Sequence, residues 1–455
     1  MLDRMMRLLQ LQGRFDSADA RQLDDFLEAT TYELTLDWSP VLESFSRFGP
    51  RRLAEKLKQR LAPPVVFAVR NFLERGHTAD EKWAILVGAG GSKPPPSNIP
   101  TVTELLRVLW DKAAAIDAPS LLRMKDKCDE LGITNIEELL TAVSLAQSAV
   151  ANPKVTALVG NLLYVEDARP ELDERSEGVE LFEDRPARRQ PAGPELVESL
   201  SESSQTLFSV LVGMMKEQPP NPIHDAVALR VKEHSGDVVI TTNYDVCLEK
   251  AIHEGAYDYM LDPTAVTAAT PLLKLHGSLS WYACKSCDRY ITAKIEQIDA
   301  ASHAGLYPVV AMCPRCAATA QQLIMPPIGA KYAQHPVLLD IRQQAEQAFR
   351  DSGSVVVIGY SFSEADQYIQ RMLGRALDTD PNKIVLIFDR SSGPVDRLRR
   401  FLARRGSSEV DRRVLGVIGP AEEHFPAFLA ELATQQTALK TQVPAAPHPA
   451  TSTPL

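Results

Sequence analysis

The sequence predicts an α/β protein in which helices cover both faces of a parallel sheet that carries a small cysteine-rich module. Short apolar runs recur along the chain, and helical patterns separate several of them. Continuous apolar runs are typical of parallel strands that are buried on both faces. Two C-x-x-C pairs lie in the second half of the chain, and in a chain without a secretory leader such pairs favour a metal module over disulfides.

Six segments are predicted to be strands: 84–88, 237–241, 272–275, 354–359, 383–388 and 413–418. Four of the strand ends are polar or rich in glycine, namely "GAGGS", "TTNYD", "LHGS" and "GYSFSEAD". The carboxyl ends of parallel strands lie at one edge of the sheet, where α/β proteins bind their ligands. The sequence therefore predicts a binding site at that edge.

The chain is predicted to have three parts. The domain boundaries are 1–75 for an N-terminal helical region, 76–432 for the sheet domain with a helical insertion at about 101–235 and the cysteine module at about 284–316, and 433–455 for a disordered tail. The tail is predicted to be disordered because its composition, rich in Gln, Thr, Ala and Pro, cannot bury a core.

Composition excludes several classes of protein. The net charge of −10 argues against binding nucleic acid through charge alone. No apolar run reaches the ~18 residues that a membrane span needs. The N-terminal apolar residues are interrupted by Arg4, Arg7 and Arg14, which is typical of an amphipathic helix and not of a signal peptide. We therefore expect a cytoplasmic protein with no membrane contact and no direct nucleic-acid binding.

The cysteine pairs predict a structural zinc site. Cys284 and Cys287 form the first pair, Cys313 and Cys316 form the second, and 25 residues separate the pairs. Four thiolates suit tetrahedral zinc and leave no open coordination position. The alternative is that these cysteines are unpaired or redox-active.

Two strand ends carry candidate catalytic residues. His276 follows a short apolar run, and a neutral imidazole at a strand end can act as a general base. A lone histidine is more often structural. Asn243 ends another strand, and its uncharged amide can hold a water molecule without repelling an anionic ligand. Asp245 is a third candidate, and capping of the following helix is its alternative role.

The glycine-rich strand ends are candidates for binding phosphate. Glycines let backbone N–H groups approach a phosphate, and a helix N-terminus adds a favourable dipole. Gly90 and Ser92 follow the first strand, and Gly359 and Ser361 follow a later one. A tight turn at the first strand end and helix capping by Ser363 at the later one are the alternatives.

Taken in order, these motifs resemble the sirtuin superfamily. The order is G-A-G-x-S, T-x-N-x-D, H-G, the two C-x-x-C pairs, and G-x-S, over residues 83–392. The G-I-P-D-F-R segment of deacylating sirtuins is replaced here by "SKPPPSNIP". The motifs "TTNYD", "LHGS" and "IGYSFSEAD" look like the bacterial sirtuin-like branch, whose members are mostly NAD hydrolases of anti-phage defence.

The resemblance implies a Rossmann-like sheet domain that binds NAD, a zinc ribbon, and roles for individual residues. Carried over by motif, the NAD phosphate and ribose pocket would contain Ala89, Gly90 and Ser92, and the nicotinamide ribose would lie beside Asn243 and Asp245. His276 would be the catalytic histidine. The adenosine side would contact Gly359 and Ser361, and the adenine ribose would contact Asp389.

The function that the resemblance implies is an NAD glycohydrolase that is activated by a regulatory protein partner or a phage trigger. The helical segments suit homo-oligomerisation or binding of that partner. Two alternatives stay open at this point. One is an NAD-dependent protein deacylase or ADP-ribosyltransferase, and the other is a non-catalytic sensor or scaffold that binds NAD or ADP-ribose.

Overall fold

The computed structural model describes most of the sheet domain. The described residues are 64–131, 133–134, 136, 138–140, 206–207, 209–216, 218–261, 268–292, 310–324, 336–363, 366–407 and 409–442. The predicted N-terminal helical region lies outside them up to residue 63, as do residues 141–205 of the predicted insertion and 443–455 of the predicted tail.

The described strands follow the chain from the start of the sheet domain almost to its end. They are β1 Trp83–Val87, β2 Val238–Thr241, β3 Tyr257–Asp258, β4 Thr270–Lys274, β5 Gly277–Cys284, β6 Arg289–Thr292, β7 Val310–Met312, β8 Thr319–Ile324, β9 Ser354–Ile358, β10 Ile384–Asp389 and β11 Val414–Ile418.

The described helices lie between and beside these strands. They are α1 Pro64–Glu74, α2 Val102–Ala115, α3 Pro119–Leu131, α4 Pro222–Glu233, α5 Cys247–Ile252, α6 Pro336–Asp351, α7 Gln367–Thr379, α8 Gly393–Arg404, α9 Val410–Arg413 and α10 Ala421–Gln442. A short 3₁₀ turn spans Ala89–Gly91.

Two sheets organise the domain. Seven strands form a parallel sheet in the order β11-β10-β9-β1-β2-β4-β3. The other four form an antiparallel sheet in the order β6-β5-β8-β7. The predicted fold class, an α/β protein with a parallel Rossmann-like sheet and a small cysteine module, is confirmed.

The parallel sheet forms because its strands can be buried on both faces. Every residue of β1, "WAILV", is fully buried, and β9, "SVVVI", is buried throughout. β-branched side chains pack well on a pleated surface, and apolar residues on both faces accept cover from helices. Helices α6, α7 and α10 contribute to the same apolar core as these strands.

A second apolar core lies under the helical insertion. It combines α2, α3 and residues 209–216 with Tyr244, Val246 and Leu279, which follow β2 or lie in β5. The segments that follow the sheet strands therefore pack directly against the insertion. Helix α4 lies inside the predicted limits of the insertion, yet its residues Ile223, Val227 and Val231 pack in the core of the sheet.

The last helix continues beyond the point where the sequence predicts a disordered tail. Helix α10 runs to Gln442, past the predicted start at 433. The reason is an anchor that composition does not reveal: the Gln436 side chain accepts a hydrogen bond from the Ala79 backbone at 2.9 Å and donates one to the Asp80 carboxylate at 2.7 Å. None of the described helices is long and apolar enough to cross a membrane.

A buried ion pair fixes helix α4 to the start of β1. Arg230 Nε donates to Asp237 Oδ2 at 2.6 Å, and both side chains are almost fully buried. The Arg230 guanidinium also donates to the Ala79 and Glu81 carbonyls and stacks 3.8 Å from the Trp83 ring centroid. Asp237 in turn accepts the Trp83 backbone N–H at 2.7 Å. Every polar atom of the pair therefore has a partner.

Removing the cation from this pair is expected to destabilise the fold strongly. Arg230→Leu leaves a buried carboxylate without its partner, which costs about 3–5 kcal/mol of unfolding free energy. The midpoint of urea unfolding measures the loss. The control is Arg412→Leu, whose ion pair with Glu409 is exposed at 64% and 62% and is worth about 0–1 kcal/mol. Equal losses in the two variants would contradict the assigned role.

Candidate functional site

The strand register brings the predicted site residues to one edge of the parallel sheet. Val87 of β1 pairs with Thr241 of β2 on one side and with Ile358 of β9 on the other. Thr241 in turn pairs with Lys274 of β4. Asn243 and His276 therefore each lie two residues beyond paired positions of neighbouring strands. The ring centroids of Tyr244 and His276 are 6.1 Å apart.

The loops after β1 and β9 approach each other so closely that only glycine fits. The Gly90 N–H donates to the Gly359 carbonyl at 2.8 Å. A Cβ atom on Gly359 would lie 2.3 Å from the Gly91 nitrogen, and Gly359 has φ +58°. A Cβ atom on Gly88 or Gly90 would meet the Gly359 carbonyl at 2.7 or 2.8 Å. The predicted glycines thus form a compact double turn, which we call the glycine contact (Gly88, Gly90, Gly91 and Gly359).

The Asn243 side chain is held in one orientation. Its Nδ2 donates to the Gly88 carbonyl at 3.0 Å and to Ser92 Oγ at 2.9 Å. Because a carbonyl can only accept, the amide nitrogen must face Gly88, and Oδ1 points the other way. Asn243 is buried, and its Oδ1 has no hydrogen-bond partner among the described residues. A buried acceptor without a partner is costly, which marks it as a position for a ligand or water.

Ser92 is held in turn by a histidine that the sequence did not single out. The Asn221 backbone N–H lies 3.1 Å from His224 Nδ1, so Nδ1 accepts and the proton is on Nε2. His224 Nε2 lies 3.1 Å from Ser92 Oγ and therefore donates to it. Ser92 Oγ accepts from both His224 and Asn243, which leaves its own hydroxyl proton to be donated.

Burial keeps this histidine neutral. It lowers the pKa of His224, while the nearby charge of Asp245 acts in the opposite direction. Asn221 caps helix α4 by accepting from the Ile223 N–H at 3.0 Å, and its Nδ2 donates to the Gly91 carbonyl at 2.9 Å. The start of α4 and the loop after β1 are thus joined by uncharged hydrogen bonds.

Asp245 has a structural role in the turn after β2. Its Oδ1 accepts the Cys247 backbone N–H at 3.0 Å at the start of α5. The Asp245 backbone carbonyl accepts from the ammonium of Lys274, which also pairs with Glu249 Oε1 at 2.8 Å. Asp245 thus satisfies the first N–H of α5 from one residue before the N-cap position, which Val246 occupies.

His276 lies among polar groups that follow β9. Its Nε2 is 3.1 Å from the hydroxyl of Tyr368 and 3.2 Å from Asp366 Oδ1. The histidine and the aspartate are each about 5% exposed. The predicted catalytic histidine is therefore placed beside a carboxylate that the sequence did not single out.

The predicted adenosine-side residues lie after β9 and β10. Ser361 is exposed, and its carbonyl accepts from Arg397 Nε at 2.6 Å. Asp389, at the end of β10, is half-buried, and its Oδ1 accepts from the Ser391 N–H at 3.0 Å. Burial raises the pKa of the Asp389 carboxyl, and the hydrogen bonds from Ser391 oppose that shift. Ala89 lies in the 3₁₀ turn of the glycine contact.

The four cysteines of the two pairs converge at one end of the antiparallel sheet. Their sulfur atoms all lie within 4.8 Å of one another, with Cys284 and Cys316 at 3.5 Å and Cys287 and Cys313 at 3.6 Å. These separations exceed the ~2.05 Å of a disulfide. Four sulfurs at ~2.3 Å from one tetrahedral zinc ion lie ~3.8 Å apart. The cluster therefore fits a closed zinc site.

Local backbone geometry prepares one of these thiols for metal binding. The backbone N–H groups of Cys316 and Arg315 donate to the Cys313 sulfur and lower the pKa of that thiol to about 6. Zinc binds the thiolate form, so such N–H donors favour the ligand state.

A second group of donors lies behind the strand ends but does not suit a metal. His224, Asp245 and Cys247 have donor atoms within 4.8 Å of one another. Both nitrogens of His224 are already in hydrogen bonds. Burial also raises the pKa of the Cys247 thiol far above its usual range, which disfavours the thiolate.

Three residues that structure the site were missed by the sequence analysis. Asn221 and His224 lie in "PPNPIH", where Asn before Pro is a helix N-cap signal. That signal predicts the helix start but not the contact with Ser92. Asp366 lies in the strand-end segment "GYSFSEAD", and nothing in the local sequence connects it with His276.

Comparison with known proteins supports a SIR2-like domain. Residues 237–409 match the family model of the SIR2-like domain. The match includes the segments after β2, β4, β9 and β10 together with the cysteine module, but it begins after the loop that contains Gly88 and Ser92. No curated protein is similar enough to match the chain.

Solved structures of Sir2 proteins are similar to this chain only at low identity. One Sir2 enzyme is 15% identical, with 82% of this chain and 98% of that chain covered and a TM-score of 0.42. A Sir2 homologue in complex with NAD is 16% identical, with 78% and 91% covered and a TM-score of 0.39. A mutant Sir2 homologue in complex with ADP-ribose is 13% identical, with 80% and 97% covered and a TM-score of 0.40. At these scores, the assignment of a SIR2-like domain depends on residues 237–409.

Purified protein is expected to contain one zinc ion per chain. Substituting one ligand, as in Cys284→Ser, should remove the ion because three thiolates leave the tetrahedral site open. Elemental analysis of the purified variants measures the zinc content. Cys128→Ala is the control, since Cys128 lies in the helical core away from the cluster. Full zinc content in Cys284→Ser would contradict the site.

The glycine contact is expected to fail if Gly359 is given a side chain. Gly359→Ala combines a left-handed φ, which costs about 1–2 kcal/mol, with a clash against the backbone of the opposite loop. Gly406→Ala is the matched control, because Gly406 has φ +78° but a Cβ atom there would meet no other atom within 4 Å. Thermal unfolding should therefore shift more for Gly359→Ala than for Gly406→Ala, and equal shifts would show that the two loops yield freely.

Proposed function

We propose that this protein, which contains a SIR2-like domain, is an NAD glycohydrolase that cleaves NAD to nicotinamide and ADP-ribose. The observation that carries the proposal is the state of Asn243. Its amide is locked by Gly88 and Ser92, so a buried oxygen without a partner among the described residues faces away from them at the carboxyl edge of the sheet. An oxygen in that state can accept a hydrogen bond from water or from a ribose hydroxyl.

The reaction needs a group that orients water and a group that accepts a proton. The bond between the ribose carbon and nicotinamide breaks, and its electron pair leaves with nicotinamide. A water oxygen bonds to that carbon, and the water gives up one proton. In this proposal Asn243 orients the water and His276 accepts the proton, since these residues follow adjacent strands.

Uncharged groups around Asn243 suit this chemistry. Positive charge builds on the ribose as nicotinamide leaves, and the substrate carries two negatively charged phosphates. Hydrogen bonds here come from three uncharged groups, namely Asn243, Ser92 and the neutral His224. These groups add no fixed charge next to the ribose or the phosphates. Fixed dipoles of this kind stabilise a developing charge without having to reorganise.

The remaining predicted contacts are assigned to substrate binding. The glycine contact would cradle the phosphates near Ala89 and Gly90, and Gly359, Ser361 and Asp389 would line the adenosine side. Asp389 would accept a hydrogen bond from the adenine ribose, as carboxylates do at the ends of strands in nucleotide-binding sheets. Zinc in the cysteine module would stabilise the fold and take no part in the reaction.

We further propose that the enzyme is a regulated effector of anti-phage defence. This finer proposal is supported by the motifs "TTNYD", "LHGS" and "IGYSFSEAD" and by one contact. Tyr244, next to Asn243, packs against the core of the helical insertion. A partner protein or phage component, or a second copy of the chain, that moves the insertion would therefore act on the residue beside the catalytic amide.

The first test is to incubate purified protein with NAD and to measure release of nicotinamide and ADP-ribose. Asn243→Ala and His276→Ala should each reduce release by about 10²–10⁴-fold, because each removes a group that acts on the water. Asn382→Ala is the control, since Asn382 is exposed and precedes β10 at the opposite edge of the sheet. Release that persists in both site variants would contradict the proposal.

Other outcomes separate the alternatives. Turnover of an acyl-lysine peptide together with NAD would identify a deacylase, and transfer of the ADP-ribosyl group to protein would identify a transferase. NAD binding by the wild type without cleavage, in the presence of candidate partners, would identify a sensor.

A further inference from the structure

The catalytic-site candidate His276 faces a carboxylate whose own environment is unusual. Asp366 Oδ1 lies 3.2 Å from His276 Nε2, but it has no hydrogen-bond partner among the described residues, the imidazole included. Asp366 is 4% exposed. A buried carboxylate oxygen is costly unless it is neutralised or hydrogen-bonded, so its position opposite an imidazole needs an explanation.

Helix capping does not explain Asp366. The residue occupies the N-cap position of α7, where an aspartate usually accepts backbone N–H groups of the first turn. Its side chain makes no such bond here. Instead, Oδ2 accepts the hydroxyl of Tyr360 at 3.0 Å, and Oδ1 is directed to the histidine. The Asp366 carboxylate thus does not cap its own helix and instead contacts His276, which is distant in the sequence.

The described residues on both sides of Asp366 in the chain are held by several contacts. Phe362 has φ +53° and is buried, and its carbonyl accepts the Gln370 side-chain amide at 3.0 Å. Tyr360 and Phe362 pack edge to face with centroids 4.9 Å apart. The Asp366 backbone N–H donates to the Ser363 carbonyl at 3.2 Å. These contacts hold Asp366 in place, so that its carboxylate lies beside His276.

The carboxylate decides which nitrogen of His276 carries the proton. His276 Nε2 forms its hydrogen bond with the Tyr368 hydroxyl at 3.1 Å, and the Asp366 carboxylate lies beside the same nitrogen at 3.2 Å. A carboxylate this close attracts an N–H group and repels a nitrogen lone pair, so it favours the tautomer with hydrogen on Nε2. Nδ1 is then the ring nitrogen that has a lone pair and can accept a proton.

We propose that Asp366 is a positioning residue for His276. Asp366 holds the imidazole in the Nε2–H tautomer, so that Nδ1 accepts the proton of the attacking water. The proposal rests on the proposed hydrolase function and deepens it. When the water proton moves to Nδ1, the ring becomes positively charged, and the Asp366 carboxylate balances that charge. The arrangement has the same logic as the aspartate–histidine pair of serine hydrolases.

The key variant is Asp366→Asn, which keeps the shape but can turn an N–H toward Nε2. Nε2 then becomes the acceptor, the ring proton moves to Nδ1, and the base is lost. The turnover number for NAD is expected to fall by about 100-fold or more, while the dissociation constant for NAD stays within about threefold because Asp366 does not contact the substrate. Asp111→Asn, an exposed residue of α2, is the control.

Tyr368→Phe separates the carboxylate from the phenol. If Asp366 orients the ring, loss of the phenol should lower turnover by less than about tenfold, since the charged acceptor remains. A large loss in Tyr368→Phe with little loss in Asp366→Asn would overturn the proposal and assign the orienting role to the tyrosine.

Nitrogen NMR of protein labelled in the histidine rings gives a readout that does not depend on activity. At a pH where imidazole is neutral, the His276 signal, assigned by its disappearance in His276→Gln, should show the Nε2–H tautomer in the wild type and the Nδ1–H tautomer in Asp366→Asn. An Nδ1–H tautomer in the wild type overturns the proposal even if the variant fails to fold. If the NMR shows the expected tautomers but the protein does not cleave NAD, the positioning role of Asp366 stands and only the hydrolase function is rejected.

Discussion

The site depends on a backbone contact that tolerates no side chain. The loops that follow β1 and β9 meet through Gly90 and Gly359, where a single added methyl group would overlap the opposite backbone. This contact sets the path of the chain from Gly88 to Ser92, and Ser92 holds the amide of Asn243. β1 and β9 are neighbours in the sheet, but the chain continues from β1 to β2 on one side and from β9 to β10 on the other. Sheets of this kind have a crevice between two such strands at their carboxyl ends, and the glycine contact lies there. The shape of the proposed nucleotide site and the orientation of the Asn243 amide thus depend on the same steric condition.

The two proposed catalytic groups are fixed by different kinds of partner. On the β2 side, carbonyl, hydroxyl and neutral imidazole groups hold Asn243 in a network without net charge. On the β4 side, His276 faces a carboxylate. The difference matches the roles assigned to them, since an amide that orients water needs only direction, whereas a base that becomes a cation also needs a counter-charge. Each group therefore has the partner that its proposed task requires.

Much of the fold was predictable from the sequence, and less of the site. Apolar runs identified six of the seven strands of the parallel sheet, because strands buried on both faces have no alternation to obscure them. The cysteine spacing identified a cluster whose sulfurs do converge, but the antiparallel strands around it were not predicted. The partners of the site residues were not predictable. His224 reaches Ser92 across 132 positions, and Asp366 reaches His276 across 90, so that only the tertiary fold reveals either contact. The last helix runs past the predicted start of the tail, since Gln436 anchors it through two hydrogen bonds that the composition does not reveal.

The pairing of β1 with β9 has a consequence for the synthesis of the protein. Trp83 at the start of β1 pairs with Ser354, so the ribosome must make most of the chain before the central strand gains its second neighbour. Until then the apolar face of β1 has to be shielded in another way, and contacts of such long range form slowly. The glycine contact cannot form before Gly359 leaves the ribosome. If the protein degrades NAD as proposed, a nascent chain would be inactive until Gly359 has left the ribosome, because the proposed site is incomplete before the glycine contact forms.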